Sequence, residues 1–190
     1  ELIRDGEISI KNGSVYTILM DEPLNQISAS ATLYNNIMKI NSFNSSLYDS
    51  DFNRNIKDNL NLQGDIDFKQ FFEPKYNLKV LGENVFFRSL NGDIEAYTDL
   101  DLAIIGKDTL NIFGTVKAKD GAVYKEFNNN STIDLAEEKG RTTTNYNIRF
   151  PIEDSFSIRN SQIDAKISGE LAMSRQFDSG WNYSGEIELI

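Results

Sequence analysis

The segment that decides the fold reads Leu110-Asn-Ile112-Phe-Gly114-Thr-Val116-Lys-Ala118. Apolar residues and one glycine occupy every second position. Because the side chains of a strand point alternately to opposite faces, these positions share one face of a sheet. The pattern predicts a β-strand with one apolar face. Its glycine takes an inward position and is expected to leave room where a packed core would have a side chain.

The same module, a glycine followed by a polar and then an apolar residue, recurs along the chain. Copies begin at Gly6, Gly64, Gly92, Gly114, Gly169 and Gly185. Their spacing is irregular, unlike the fixed period of a solenoid. No apolar segment keeps helical spacing for three turns, so helix should be scarce. We therefore expect an all-β fold of many similar strands, arranged as hairpins of varying length along one axis.

Local turn signals divide the predicted strands. Asparagine or aspartate beside glycine, between apolar runs, is typical of hairpin turns, and proline disfavours a central strand. The sequence predicts turns at Asn12-Gly13, 82–84, 106–108 and Asp120-Gly121, and a strand end at Pro151. Residues 44–58 predict a long loop or a loosely paired edge, and residues 69–74 a single helical turn.

Composition excludes several functional classes. The chain has 190 residues, enough for one substantial domain, and a net charge of −10 from 29 acids and 19 bases. Nucleic-acid surfaces need clustered lysine and arginine, so we expect no nucleic-acid partner. The chain has no cysteine and no histidine. Disulfides, the usual zinc sites and Ser-His or Cys-His nucleophiles are therefore excluded.

The remaining candidates for chemistry are carboxylates. Asp49-Ser-Asp51 begins like a calcium loop, but Arg54 and Leu60 stand where glycine and a bidentate glutamate are needed. Acids two residues apart on a strand stand side by side on its outer face and do not converge on a cleft as glycosidase acids do. We therefore expect no enzyme, no catalytic residue, no metal and no cofactor. These acid pairs are Asp65/Asp67, Asp93/Glu95, Asp99/Asp101 and Glu186/Glu188.

Nothing in the sequence predicts a helix that spans a membrane. The longest apolar runs, such as Leu102 to Ile105, are about five residues, and a bilayer needs roughly 20. No signal segment opens the chain. Glu1 is not an initiator residue, and the last strand pattern runs to Ile190. We expect the sequence to be a piece of a longer protein or a processed product.

The order of elements between Gly64 and Phe127 resembles the C-terminal β-rich region of the TamB (translocation and assembly module) family, which is related to AsmA-like bridge-like lipid transfer proteins. A strand with the pattern Asp-Leu-x-Leu-x-Gly is followed there by a Gly-x-Val-x-Val-x-x-Gly-x-Tyr element. The segments that carry the resemblance are Gly64-Asp-Ile-Asp-Phe68, Phe72-Glu-Pro74, Tyr76-Asn-Leu78-Lys-Val80, residues 99–106 and residues 110–124. Residues 150–171 look like the start of the next repeat, and residues 1–60 are similar in style.

The resemblance implies a fold and a location. The fold would be an elongated, curved antiparallel or mixed sheet that forms an open β-taco or jelly-roll-like groove with an apolar interior. Residues 1–190 would be one fragment of it, with N-terminal strands in 1–60, the best-matching repeat in 61–127 and the next repeat in 128–190. The location would be the periplasm of a diderm bacterium, with the parent protein anchored in the inner membrane.

The resemblance also implies a function. The module would shelter acyl chains of phospholipid or a similar ligand for transport between the inner and outer membranes, or assist outer-membrane protein assembly. Its parent chain would reach a barrel-assembly-type outer-membrane protein. The predicted groove lining is Ile66, Phe68, Ile94, Leu100, Leu102, Ile104, Leu110, Ile112, Val116, Ile163, Ile167, Leu171, Ile187 and Leu189, with groove glycines Gly64, Gly92, Gly114, Gly169 and Gly185.

Two alternatives stay open at this point. One is a scaffold module whose inner face is filled by its own side chains and whose sheet edges bind partners by adding strands. The other is a surface adhesin domain that binds through polar loops such as residues 44–58. Apolar lining left bare would be an exposed patch that needs a ligand or a neighbour, which favours the groove.

Overall fold

Period-two alternation produces ten long strands. The computed structural model describes residues 5–16, 23–49, 54–89, 92–126 and 143–190. The strands are β1 (Asp5–Val15), β2 (Leu24–Tyr34), β3 (Ile37–Asp49), β4 (Arg54–Asp67), β5 (Lys75–Arg88), β6 (Ile94–Gly106), β7 (Thr109–Val123), β8 (Thr143–Arg159), β9 (Asp164–Arg175) and β10 (Asn182–Leu189).

All ten strands belong to one sheet, in which their spatial order is their order along the chain. Neighbours are antiparallel except β7 and β8, which are parallel. The sheet is not closed, because β1 pairs only with β2 and β10 only with β9. The described residues contain no helix. The predicted fold class, an open all-β mixed sheet, is confirmed.

Three of the four predicted turns are wrong, because they are β-bulges inside strands. Asn12 (φ 57°) lies within β1, where the register shifts between Ile10 and Gly13. Asn84 (φ 52°) lies within β5 at a second shift. Lys119 is an extra residue of β7 that has no partner between Thr98 and Tyr97 of β6. A bulge bends its strand and increases the local twist, so these signals curve the sheet. The predicted turn at 106–108 is confirmed, since it joins β6 to β7.

Two other expectations are also wrong, and a third is wrong in part. Pro151 does not end a strand, because β8 continues to Arg159. The register of β8 shifts after Ile152 against both neighbours, which is where a proline without an N–H is tolerated. For residues 44–58 the loop alternative is wrong, because residues 44–49 and 54–58 are paired strand. Their irregular register agrees with the loose pairing that was the other alternative, although β3 and β4 lie inside the sheet and not at its edge. Residues 69–74 form a turn without helix.

Candidate apolar binding face

The sheet has one continuous apolar face. Strand pairing fixes which residues share it, because directly paired residues point to the same side. One row of this face crosses seven strands, from β4 to β10. Its members, in order, are Leu62, Val80, Leu102, Gly114, Ile148, Met173 and Tyr183. We call the side that contains this row the apolar face.

Most of the predicted groove residues lie on the apolar face. Those within strands are Ile66, Ile94, Leu100, Leu102, Ile104, Leu110, Ile112, Val116, Ile167, Leu171, Ile187 and Leu189. Two others lie next to strands. Phe68 follows β4, where its N–H donates to the Asn36 carbonyl at 2.7 Å, and Ile163 precedes β9 in the turn from β8. The alternation therefore predicted correctly which residues of β4, β6, β7, β9 and β10 point to the apolar face.

The apolar face has a packed end and an open middle. The packed end is a cluster in which Ala96, Phe156 and Ile167 are buried, with Ala118 and Ile152 among the residues packed against them. The open middle comprises Leu100, Leu102, Ile104, Ile112 and Val116, all of which are only half-buried. Towards β10 exposure increases, to 42% at Ile187 and 66% at Leu189. No second layer covers the open middle among the residues that the structure describes.

The glycines of the module do not leave room for a ligand, which corrects the expectation. Gly64, Gly114, Gly169 and Gly185 have φ between +123° and +139°. A Cβ atom on Gly114 would stand 2.1 Å from the carbonyl oxygen of Asp101 on the neighbouring strand. Equivalent backbone oxygens lie 2.0–2.2 Å from the corresponding position at the other three. The space is filled by the adjacent strand, so these residues set close backbone approach rather than a cavity.

Gly92 differs from the other predicted groove glycines. It lies before β6 in a turn that its N–H closes onto the Ser89 carbonyl at 2.8 Å. Its φ is +69°, and nothing lies within 4 Å of the position that a Cβ would take. Gly92 therefore allows the turn to adopt a left-handed backbone conformation, which glycine takes without steric cost.

Acids and bases pair across neighbouring strands on the opposite, polar face. Asp99 accepts from Lys119 at 3.3 Å, and Asp101 lies 3.1 Å from Lys79. Farther along the sheet, Glu153 lies 2.5 Å from Lys117, and this hydrogen bond raises the pKa of the lysine. Similar pairs join Arg88 to Glu95 and Arg149 to Glu170. The acids that were predicted in β6, Glu95, Asp99 and Asp101, therefore serve as cross-strand ion-pair partners on the polar face.

One buried patch on the polar face was not predicted. Phe86 pairs with Tyr97, on the polar side of the sheet, yet it is only 2% exposed. The two ring centroids lie 5.2 Å apart, and the guanidinium of Arg88 lies 5.3 Å from the centre of the Phe86 ring. The bulge at Asn84 shifts the phase of β5 by one residue, so that Val85 takes the apolar side. Asn84 carries a sequence signal for this bulge, because asparagine tolerates a left-handed backbone conformation. The same preference is typical of a turn, which is what the sequence predicts at residues 82–84.

Two aromatic rings protrude at the turn between β4 and β5. Phe71 is 66% exposed and Phe72 is 92% exposed. Their ring centroids are 5.3 Å apart in an edge-to-face arrangement. Because they lie in a turn rather than a strand, neither ring belongs to the apolar face. They form an apolar tip at one end of the sheet, and the ring centroid of Phe71 lies 6.4 Å from that of Phe68.

The clefts of the described residues are shallow and of mixed polarity. One of about 610 Å³ lies where β7, β8 and the β9–β10 turn meet, and its lining includes Ile112, Tyr146 and Arg175. The predicted groove is thus an open face rather than an enclosed cavity. In the described part of the chain, no three metal-ligating side chains come together. Residues 51–53 of the calcium-like segment lie outside the described residues.

The fold and this face define a single-layer, open β-sheet protein with one apolar and one ion-paired side. Within the part that the structure describes, no helix is both long and apolar enough to cross a bilayer. In comparisons with protein-family models, with curated proteins and with solved structures, nothing matched this chain.

Proposed function

We propose that this protein is a non-enzymatic module that shelters lipid acyl chains on its apolar face. The location that goes with this role is the periplasm, between the inner and outer membranes of a diderm bacterium. The role itself is phospholipid transport or support of outer-membrane protein assembly, as in the TamB family that the sequence resembles. A parent chain anchored in the inner membrane would bring the module to a barrel-assembly-type partner.

One observation carries the proposal: the apolar face is continuous over many strands and is left half-exposed in its middle. An isolated apolar side chain on a surface is ordinary, but a contiguous apolar strip needs a partner. Each methylene of an acyl chain that leaves water there contributes roughly 0.8 kcal/mol. A chain of many methylenes laid along the strip is therefore a favourable occupant, and it needs no hydrogen-bonding groups.

The two alternatives are less well supported. A scaffold with a filled interior agrees with the packed end, where Phe156 and Ile167 are buried, but not with the open middle. An adhesin would bind through the polar segment 44–58. Most of that segment is paired strand in β3 and β4. The long exposed loop that this alternative requires is therefore absent from 44–49 and 54–58.

A photocrosslinking experiment tests the proposal. A benzophenone amino acid is placed at Ile112, on the open middle, and as a matched control at Phe113, its neighbour on the opposite face. The chain is irradiated in cells and then analysed by mass spectrometry. We expect phospholipid adducts at position 112 and none at position 113. Equal labelling, or a chain that purifies without lipid and labels at neither position, would contradict the proposal.

A further inference from the structure

The apolar tip between β4 and β5 holds two phenylalanine rings out into solvent. Phe72, at 92% exposed, is the most exposed large apolar side chain of the described residues, and Phe71 beside it is 66% exposed. A single exposed apolar side chain is ordinary, but two adjoining rings at the outermost point of a turn leave apolar area in water that a partner would cover. The tip is therefore a candidate contact surface.

The turn that carries the rings is held in one conformation by hydrogen bonds. The Lys69 N–H donates to the Asp67 carboxylate at 2.9 Å, and the Glu73 N–H donates to the Gln70 carbonyl at 3.0 Å. Lys107, in the neighbouring turn between β6 and β7, donates to the Gln70 side chain and lies 3.0 Å from the Glu73 carboxylate. The rings are thus presented in a fixed arrangement, and covering them would cost little ordering entropy.

The charges around the tip are balanced, unlike those of the chain. Residues 67–75 and 107–108 carry three bases and three acids, whereas the whole chain carries 19 bases and 29 acids. The six charged residues are Asp67, Lys69, Glu73, Lys75, Lys107 and Asp108. Charges farther away than about 8 Å are largely screened at physiological salt. This end of the sheet can therefore approach phospholipid phosphates without the repulsion that the rest of the chain would meet.

The size of the tip favours a bilayer over a protein partner. A phenylalanine buries about 150–250 Å², so two rings supply at most about 500 Å². One side of a stable protein interface needs about 800 Å². The side chains next to the rings, Lys69, Gln70 and Glu73, are polar and exposed, so they would not complete an apolar interface core. A bilayer needs no complementary pocket, and it accepts apolar side chains at the boundary between headgroups and acyl chains.

We infer that the apolar tip is an interfacial membrane-binding site, at which Phe71 and Phe72 insert beneath the headgroups of a phospholipid bilayer. The ammonium groups of the exposed Lys69 and Lys75 stay in water beside the phosphates, while their methylene stems lie along the apolar boundary. This inference does not depend on the acyl-chain proposal, because the rings lie outside the apolar face and the occupant is an assembled bilayer.

A tryptophan reporter tests the inference. The chain has one tryptophan, Trp181, so F72W/W181F places the only tryptophan at the tip, and the control F113W/W181F places it on the polar face. The probe is vesicles of dioleoylphosphatidylcholine, with a dibrominated form of the same lipid as quencher. We expect a shift of emission to shorter wavelength and at least threefold quenching at position 72, and neither at position 113. Equal responses at the two positions, or an equal shift with monomeric dihexanoylphosphatidylcholine, would overturn the inference.

Vesicle co-sedimentation distinguishes ring insertion from attraction between charges. F72S should weaken binding at least fivefold and F71S/F72S further, whereas F113S, which removes the same ring from the polar face, should stay within twofold of wild type. Circular dichroism checks that each variant is folded. Wild type that binds no vesicle, or binding that needs anionic lipid and survives F71S/F72S, would overturn the inference. A benzophenone at position 72 that labels a protein and no lipid in cells would overturn it as well.

Discussion

The packed end and the open middle of the apolar face have the same strands, the same alternation and the same face, yet they are covered differently. At the packed end, Ile167 is 2% exposed and lies against Ala96 and Phe156. In the open middle, Ile112 is half-buried between Ile104 and Tyr146. Bulges in β7 and β8 lie within the packed end, between Ala118 and Asp120 and between Ile152 and Phe156. The difference teaches that local bending, rather than residue type, decides where a single-layer sheet buries its own apolar side chains.

The largest expected effect comes from placing a charge in each region. Ile167→Arg should unfold the protein or cost about 4 kcal/mol or more, because the guanidinium would be buried without a partner. Ile112→Arg should cost only about 1 kcal/mol, because its side chain reaches solvent over the open middle. Urea unfolding followed by circular dichroism measures both. Similar losses in the two variants would mean that the middle is covered in solution.

A second test asks whether the two regions share a backbone constraint despite their different coverage. Gly121 at the packed end and Gly114 in the open middle both have positive φ, and each would bring a Cβ within 2.1 Å of a neighbouring carbonyl oxygen. Replacing either with alanine should cost about 3 kcal/mol, from the strained conformation and the backbone contact. Thermal unfolding of each single variant is the measurement.

Gly92→Ala is the control for this pair. Its φ is positive as well, but no atom lies near the added methyl group. The expected loss is therefore about 1 kcal/mol, from the left-handed conformation only. If Gly114→Ala were as mild as Gly92→Ala, the close strand approach would not be a constraint, and the glycine position could accommodate something else.

The smallest expected effect is the pH dependence of a contact near the packed end. The Ser161 hydroxyl donates to Glu126 at 2.6 Å and its N–H donates at 2.9 Å, and these bonds lower the pKa of that carboxyl. A lowered pKa means that the stabilisation is complete above the ordinary value of 4.5 and is lost as the pH falls through the folded-state pKa.

Ser161→Ala therefore should destabilise the chain most above pH 4.5 and progressively less below it. Urea midpoints of wild type and variant, compared from neutral to acidic pH, check this. The corresponding contact at the turn beyond the open middle uses the Lys69 N–H, which lowers the pKa of Asp67. Asp67→Asn should show the same direction. A Ser161→Ala penalty that does not change with pH would argue against an ionised Glu126 as the acceptor.

Alternation was sufficient to predict the class of fold and which residues of the predicted strands point to the apolar face, because a period of two follows directly from strand geometry. It was insufficient for strand length, because Asn12 and Asn84 adopt the same left-handed conformation in a bulge as in a hairpin turn. Only the pairing partner decides between them. The meaning of Gly114 was misread for a related reason, since the atom that fills its space belongs to another strand.

The parallel pairing of β7 with β8 has a consequence for how the sheet forms. It divides the chain into two meanders, β1–β7 and β8–β10, within which every pairing joins strands adjacent in sequence. Such local pairings close short loops. The end of β7 and the start of β8, in contrast, lie at opposite ends of these two parallel strands, so the connection must run the length of the strands. We expect each meander to fold from its own hairpins. The pairing of β7 with β8, which joins the two meanders, would follow as a later and slower step. The apolar face would then become continuous only when β7 pairs with β8.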